Sequence, residues 1–186
     1  MRKARVLAIA LAAVVAIGMA HAATFRALGS QAQAVNPQNP GMVEDARVVA
    51  IFDDALTRVD VDLRVVGGST VMAAHFHCGR PGQGGPVAFG LFSPGNLEYD
   101  GQRARGTMTN ADFNGADCVP VIGRPVNNIA ALAYAMQDGL IYLNVHTAQN
   151  PGGEFRGQMV LTSGSIGPSN GPSQSNGQGL ALGFGR

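Results

Sequence analysis

Arg58-Val59-Asp60-Val61-Asp62-Leu63-Arg64-Val65-Val66 alternates charged and hydrocarbon side chains over eight positions. An extended chain points successive side chains to opposite faces, so Val59, Val61, Leu63 and Val65 share one face and Arg58, Asp60, Asp62 and Arg64 the other. That pattern predicts a β-strand, within an apolar-rich stretch from Leu56 to Val66, with one face on a core and one in water. Working outward, Ala46 to Phe52, Val71 to His77 and Pro86 to Phe92 are further short apolar-rich stretches. Asp53-Asp54, Gly67-Gly68 and Pro81-Gly82 separate them at strand-and-turn spacing. More strands are expected near Phe25, at Arg105 to Thr109, at Leu140 to Thr147 and at Phe155 to Thr162. Many short strands joined by Gly/Pro turns predict an all-β, mostly antiparallel sandwich or barrel.

One segment departs from this pattern. From Asn128 onward Ile129, Leu132, Ala133 and Met136 recur at helical spacing, with Asn128 placed to cap the start and Gly139 to end the helix. A single short helix packed on the sandwich is expected, its apolar stripe facing the core.

The two ends of the chain read differently from its middle. Arg2, Lys3 and Arg5 precede an apolar run from Val6 to Met19, and Ala20-His21-Ala22 offers the small-x-small pattern of a signal-peptidase site. Residues 1–22 are therefore expected to be an export signal, residues 23–162 the domain, and the Gly-, Ser- and Pro-rich residues 163–186 a disordered tail. No membrane span is expected after cleavage, and the mature protein is assigned to the periplasm or the exterior. Three of the 13 basic residues lie in the signal, so ten remain against 12 acidic ones, a net charge near −2. A nucleic-acid partner is not expected from that balance. Cys78 and Cys118 are the only cysteines, and export predicts that they form a disulfide, the alternative being two buried thiols.

Two segments carry the chemistry. Ala74-His75-Phe76-His77-Cys78-Gly79 leads into Arg80-Pro81-Gly82-Gln83-Gly84-Gly85-Pro86, and Asn144-Val145-His146-Thr147 is followed by Asn150-Pro151-Gly152-Gly153-Glu154-Phe155-Arg156-Gly157-Gln158. Together they resemble the CHRD domain, in which a His-x-His, Gly-rich segment precedes Asn-Val-His-Thr and Pro-Gly-Gly-Glu-x-Arg-Gly-Gln. The resemblance spans roughly Thr24 to Thr162. It departs at Gln33-Ala34-Val35-Asn36, where the family has Gln-Glu-Val-Pro, and at Phe76 and Phe155, where isoleucine is common. It implies a Greek-key sandwich, similar to that of Cu/Zn superoxide dismutase, whose copper strand also carries His-x-His.

Strand parity gives the histidines a place. His75 and His77 should point away from the face shared by Met72, Ala74 and Phe76, and His146, with Tyr142 and Asn144, away from Ile141, Leu143 and Val145. All three histidines are thus expected on wet outer faces, with alpha carbons at i and i+2 roughly 6.5 Å apart. Neutral imidazole suits copper and zinc, so His75, His77 and His146 form a candidate three-nitrogen site, with Asn144 and Glu154 as candidate supporting groups. Two alternatives stand beside this. The histidines could hydrogen-bond carbonyls of the Gly79 to Gly85 loop, and Glu154 and Arg156 could form a solvated ion pair on a polar strand edge.

Superoxide dismutation is not expected, because a fourth copper histidine and the zinc ligands are missing. Nor is any nucleophile constellation present, so an enzyme is less expected than a binding module. The reading is an exported binding or structural module of undefined ligand, or else a copper- or zinc-binding protein. Its partner is then an extracytoplasmic protein or a metal ion.

Overall fold

The computed structural model describes residues 21–35, 45–67 and 70–167. The expected signal, save its last two residues, and positions 168–186 of the expected tail lie outside the described residues.

Among the described residues nine strands build two packed sheets: β1 (His21–Gly29), β2 (Asp45–Asp53), β3 (Arg58–Val66), β4 (Val71–Cys78), β5 (Val87–Phe92), β6 (Arg103–Thr109), β7 (Ile141–Thr147), β8 (Phe155–Gln158) and β9 (Val160–Gly164). One sheet has the order β6-β3-β2-β1-β9, the other β5-β4-β7-β8, and every paired neighbour is antiparallel. The chain leaves the first sheet after β3, makes β4 and β5 in the second, and returns as β6 beside β3. An all-β sandwich is therefore the fold.

The alternation of β3 does what hydrophobicity requires. Val59, Val61, Leu63 and Val65 are buried between the sheets, whereas Arg58, Asp60 and Asp62 are half-buried on the outer face and Arg64 is exposed there. Phe25 and Phe52 from the first sheet meet edge to face, and Phe76, Phe89, Leu143 and Phe155 fill the core from the second. The Cys78–Cys118 disulfide is formed, with alpha carbons 5.9 Å apart. It ties the end of β4 to α1 (Val119–Ile122), a one-turn helix that the sequence pattern did not suggest. The expected helix is α2 (Ile129–Gln137), where the Asn128 side chain accepts from the Ala131 amide and Gly139 takes a left-handed φ of 67°.

Several expectations need correction. Phe155 to Thr162 is not one strand: the chain passes from the second sheet to the first at Met159, whose amide bonds the Ile141 carbonyl and whose side chain is buried. Met72 is exposed, because a register shift between Val71 and Ala73 turns it away from the core. The folded region also runs past Thr162, since β9 extends to Gly164 and Ile166 is buried against the core. At the other end β1 begins at His21, two residues before the expected cut.

Candidate metal centre

His75 and His77 lie on β4 and His146 on the adjacent β7, where Asn144 is the cross-strand partner of His75. Parity is as expected: Ala74 and Phe76 enter the intersheet core and the imidazoles take the opposite face. That face is nevertheless not wet. His75 is 7% and His77 8% exposed, and only His146 is half-buried. The Gly79–Pro86 loop, the Ser93 turn and the Asn150–Gly153 turn supply the carbonyls and packing that cover it.

Each ring is fixed by one backbone carbonyl. The Gly85 carbonyl accepts from His77 Nδ1 at 2.8 Å, the Pro151 carbonyl from His146 Nδ1 at 2.8 Å, and the Ser93 carbonyl from His75 Nε2 at 3.3 Å. A carbonyl can only accept, so each of these nitrogens carries the ring proton. In the neutral rings the bare lone pairs are therefore on His75 Nδ1, His77 Nε2 and His146 Nε2. They converge. His75 Nδ1 and His146 Nε2 are 3.2 Å apart, His77 Nε2 is buried with no hydrogen-bond partner, and one nitrogen from each ring lies within 4.8 Å of the others. Three nitrogens around one ion at 2.0–2.1 Å are separated by about 3.3–3.6 Å, so small ring rotations close the set. The loop-carbonyl contact posed as an alternative by the sequence is present at Gly85; Ser93 and Pro151 supply two more from outside that loop, and one nitrogen of each ring is left that could hold a metal.

The surroundings favour the neutral form of His75 and His77. Burial, then the nearby His146 charge, lowers the His75 pKa, with the Ser93 carbonyl opposing. Burial, together with the charges of His146, His75 and Arg156, takes His77 down to about 4 against the opposing Gly85 carbonyl. Two glycines make the geometry possible. A Cβ on Gly85 would overlap the Cys78 carbonyl, and one on Gly153, at φ 118°, would overlap the Asn144 amide.

Asn144 is 8% exposed, and its Nδ2 lies 3.3 Å from the Gly152 carbonyl and 3.5 Å from His146 Nε2, which places it at the site. Glu154 does not touch the histidines. It is buried, accepting from Gln31 Nε2 at 2.9 Å and from the Thr147 hydroxyl, and its own amide bonds Val145. The solvated Glu154/Arg156 ion pair is likewise absent. Arg156 is 3% exposed, donating from its two terminal nitrogens to the Gln83 and Arg80 carbonyls at 2.9 and 2.8 Å. Its guanidinium lies 3.6 Å from the centre of the Tyr142 ring, which in turn stacks on His77. Tyr142 also accepts from the Gly85 amide at 3.1 Å, so it and Arg156 hold the loop that orients His77. The sequence placed Tyr142 on the outer face and Arg156 in an ion pair, and gave neither of them this role. The anchoring carbonyls of Gly85, Ser93 and Pro151 could not be singled out, since a backbone oxygen carries no residue signature.

Among the described residues no helix is long and apolar enough to cross a membrane, and the formed disulfide fits an oxidising compartment. No curated protein and no solved structure matches the chain. The CHRD domain matches residues 25–159, which takes in all but the ends of the sandwich and every residue of the histidine cluster, and the chain belongs to the CHRD domain family.

Proposed function

We propose that this protein is an exported module that binds one copper or zinc ion through His75 Nδ1, His77 Nε2 and His146 Nε2, in the periplasm or outside the cell. The observation that carries the reading is the hydrogen-bond accounting. Three carbonyls hold the protons of three rings, two of the remaining lone pairs lie 3.2 Å apart, the third is buried without a partner, and one nitrogen from each ring lies within 4.8 Å of the others. Two such lone pairs at 3.2 Å repel unless a cation lies between them, and leaving His77 Nε2 buried and unpaired costs about 1–3 kcal/mol. A metal removes both penalties. Carbonyl-anchored imidazole is also the usual way a metal-ligating histidine is oriented.

Three nitrogen donors without sulfur suit zinc and copper, and the intrinsic order of divalent affinities favours copper(II). The ion would supply Lewis acidity or, as copper, one-electron chemistry. The protein's own part is to fix three rings in their tautomers. Calorimetric titration of metal-free protein with copper and with zinc tests the reading. One equivalent should bind at neutral pH, and binding should vanish when His75 and His77 are both replaced by alanine. Binding that survives that double replacement, or no binding by the wild type, leaves a module whose ligand is not a metal.

A further inference from the structure

Resting on the three-histidine reading, we propose that the bound ion keeps an open position for a small anion, and that Asn144 donates a hydrogen bond to that anion. Among the described residues no carboxylate or thiol joins the three histidines, so the protein supplies three ligands where zinc and copper take four or more. A polar side chain that reaches one of the proposed ligating nitrogens is that of Asn144, 3.5 Å from His146 Nε2.

Its orientation is fixed. The Gly152 carbonyl 3.3 Å away can only accept, so the amide group facing it, and facing the cluster, is the NH2 and not the oxygen. A side-chain oxygen there could have been a fourth ligand. An N–H cannot ligate a cation, but it can bind what the cation holds. The amide has two hydrogens: one goes to Gly152, and the second is directed at His146 Nε2, 3.5 Å away. When that lone pair is given to a metal, the second hydrogen loses its acceptor in a site only 8% exposed. An anion on the open position restores it. The absence of a Cβ at Gly153 is what admits the amide to this place. A buried positive charge beside the cluster also favours an anion: Arg156 stacks on Tyr142, which stacks on His77. Buried Glu154 is turned toward Gln31 and Thr147.

Azide is the probe. Copper-loaded wild type should bind one azide, read from the azide-to-copper charge-transfer band and from the electron paramagnetic resonance spectrum. Asn144→Leu keeps the bulk but has no donor, and Asn144→Ala removes the group. Each should raise the azide Kd about tenfold or more while copper stoichiometry is unchanged, and neutral imidazole, which needs no donor, should bind all three proteins alike. A second readout uses the wild type alone. In the zinc form, the Asn144 side-chain N–H resonance should move downfield on adding azide. Copper binding without any azide response, an azide Kd unaffected by both replacements, or an Asn144 resonance indifferent to azide overturns the proposal and leaves the metal site standing. Failure of wild type to take up copper removes the metal site itself, and the proposal with it.

Discussion

Replacing Arg156 by methionine removes the group that ties the Gly79–Pro86 loop to the sheet. The wild-type guanidinium is 3% exposed, makes two charge-assisted bonds of 2.9 and 2.8 Å to the Gln83 and Arg80 carbonyls, and stacks on Tyr142. Each such bond contributes about 1.5–3 kcal/mol. Methionine recovers the burial of the stem and avoids desolvating a charge, so a net loss of about 3 kcal/mol is expected. At roughly 2–4 °C per kcal/mol for a domain of this size, the thermal midpoint should fall by about 10 °C. Because the same loop carries the Gly85 carbonyl that orients His77, zinc affinity should also fall about tenfold. Urea unfolding followed by circular dichroism, with a zinc titration on the same samples, measures both. Arg80→Ala is the control, since Arg80 is exposed and its contacts to Arg156 and Gln83 run through its backbone. If Arg156→Met stays within about 0.5 kcal/mol of wild type, as that control should, the buried arginine does not hold the loop and the reasoning fails.

In the metal-free protein His77 titrates at about 4 when folded and near 6.5 when unfolded. The unfolded chain therefore binds a proton that the fold excludes: the contribution is complete above about pH 6.5 and is lost as pH falls toward 4, amounting to ~3 kcal/mol. His77→Gln should flatten the stability profile across that window, and an unchanged slope would contradict the assignment. The Cys78–Cys118 bridge closes a 40-residue separation, so reduction should cost roughly 4 kcal/mol on the chain-entropy account, and thiol titration should find no free thiol before reduction and two after. Two thiols before reduction would refute it. Ile166→Ala should destabilise by about 2 kcal/mol in chemical denaturation, because Ile166 packs on the core beyond the last expected strand residue. A change below about 0.5 kcal/mol would return that segment to the tail.

How much of this could be read in advance divides along a physical line. Strand β3 was legible because hydrocarbon and charge alternate at the period of an extended chain, and α2 because Asn128 and Gly139 bracket a helical repeat. The Cys78–Cys118 pair needed only counting and a compartment. Parity put His75, His77 and His146 on outer faces, and the structure brings them together by laying β4 beside β7. Parity, however, names a face and not what lies over it. The burial of His75, His77 and Arg156 depends on loops folded back from elsewhere in the chain, and their backbone carbonyls leave no trace in residue type. The passage between sheets at Met159 was invisible for a related reason. Phe155 to Thr162 is equally strand-like throughout, and only the packing of two sheets decides where it divides.

The central claim is a set of three named nitrogen atoms, and a crystal of the copper- or zinc-soaked protein measured at the metal's absorption edge tests it most directly. The account predicts one strong anomalous peak about 2 Å from His75 Nδ1, His77 Nε2 and His146 Nε2, with the other ring nitrogens still bonded to Ser93, Gly85 and Pro151. A peak elsewhere, ligation through the opposite nitrogens, or no peak in the soaked crystal would contradict it.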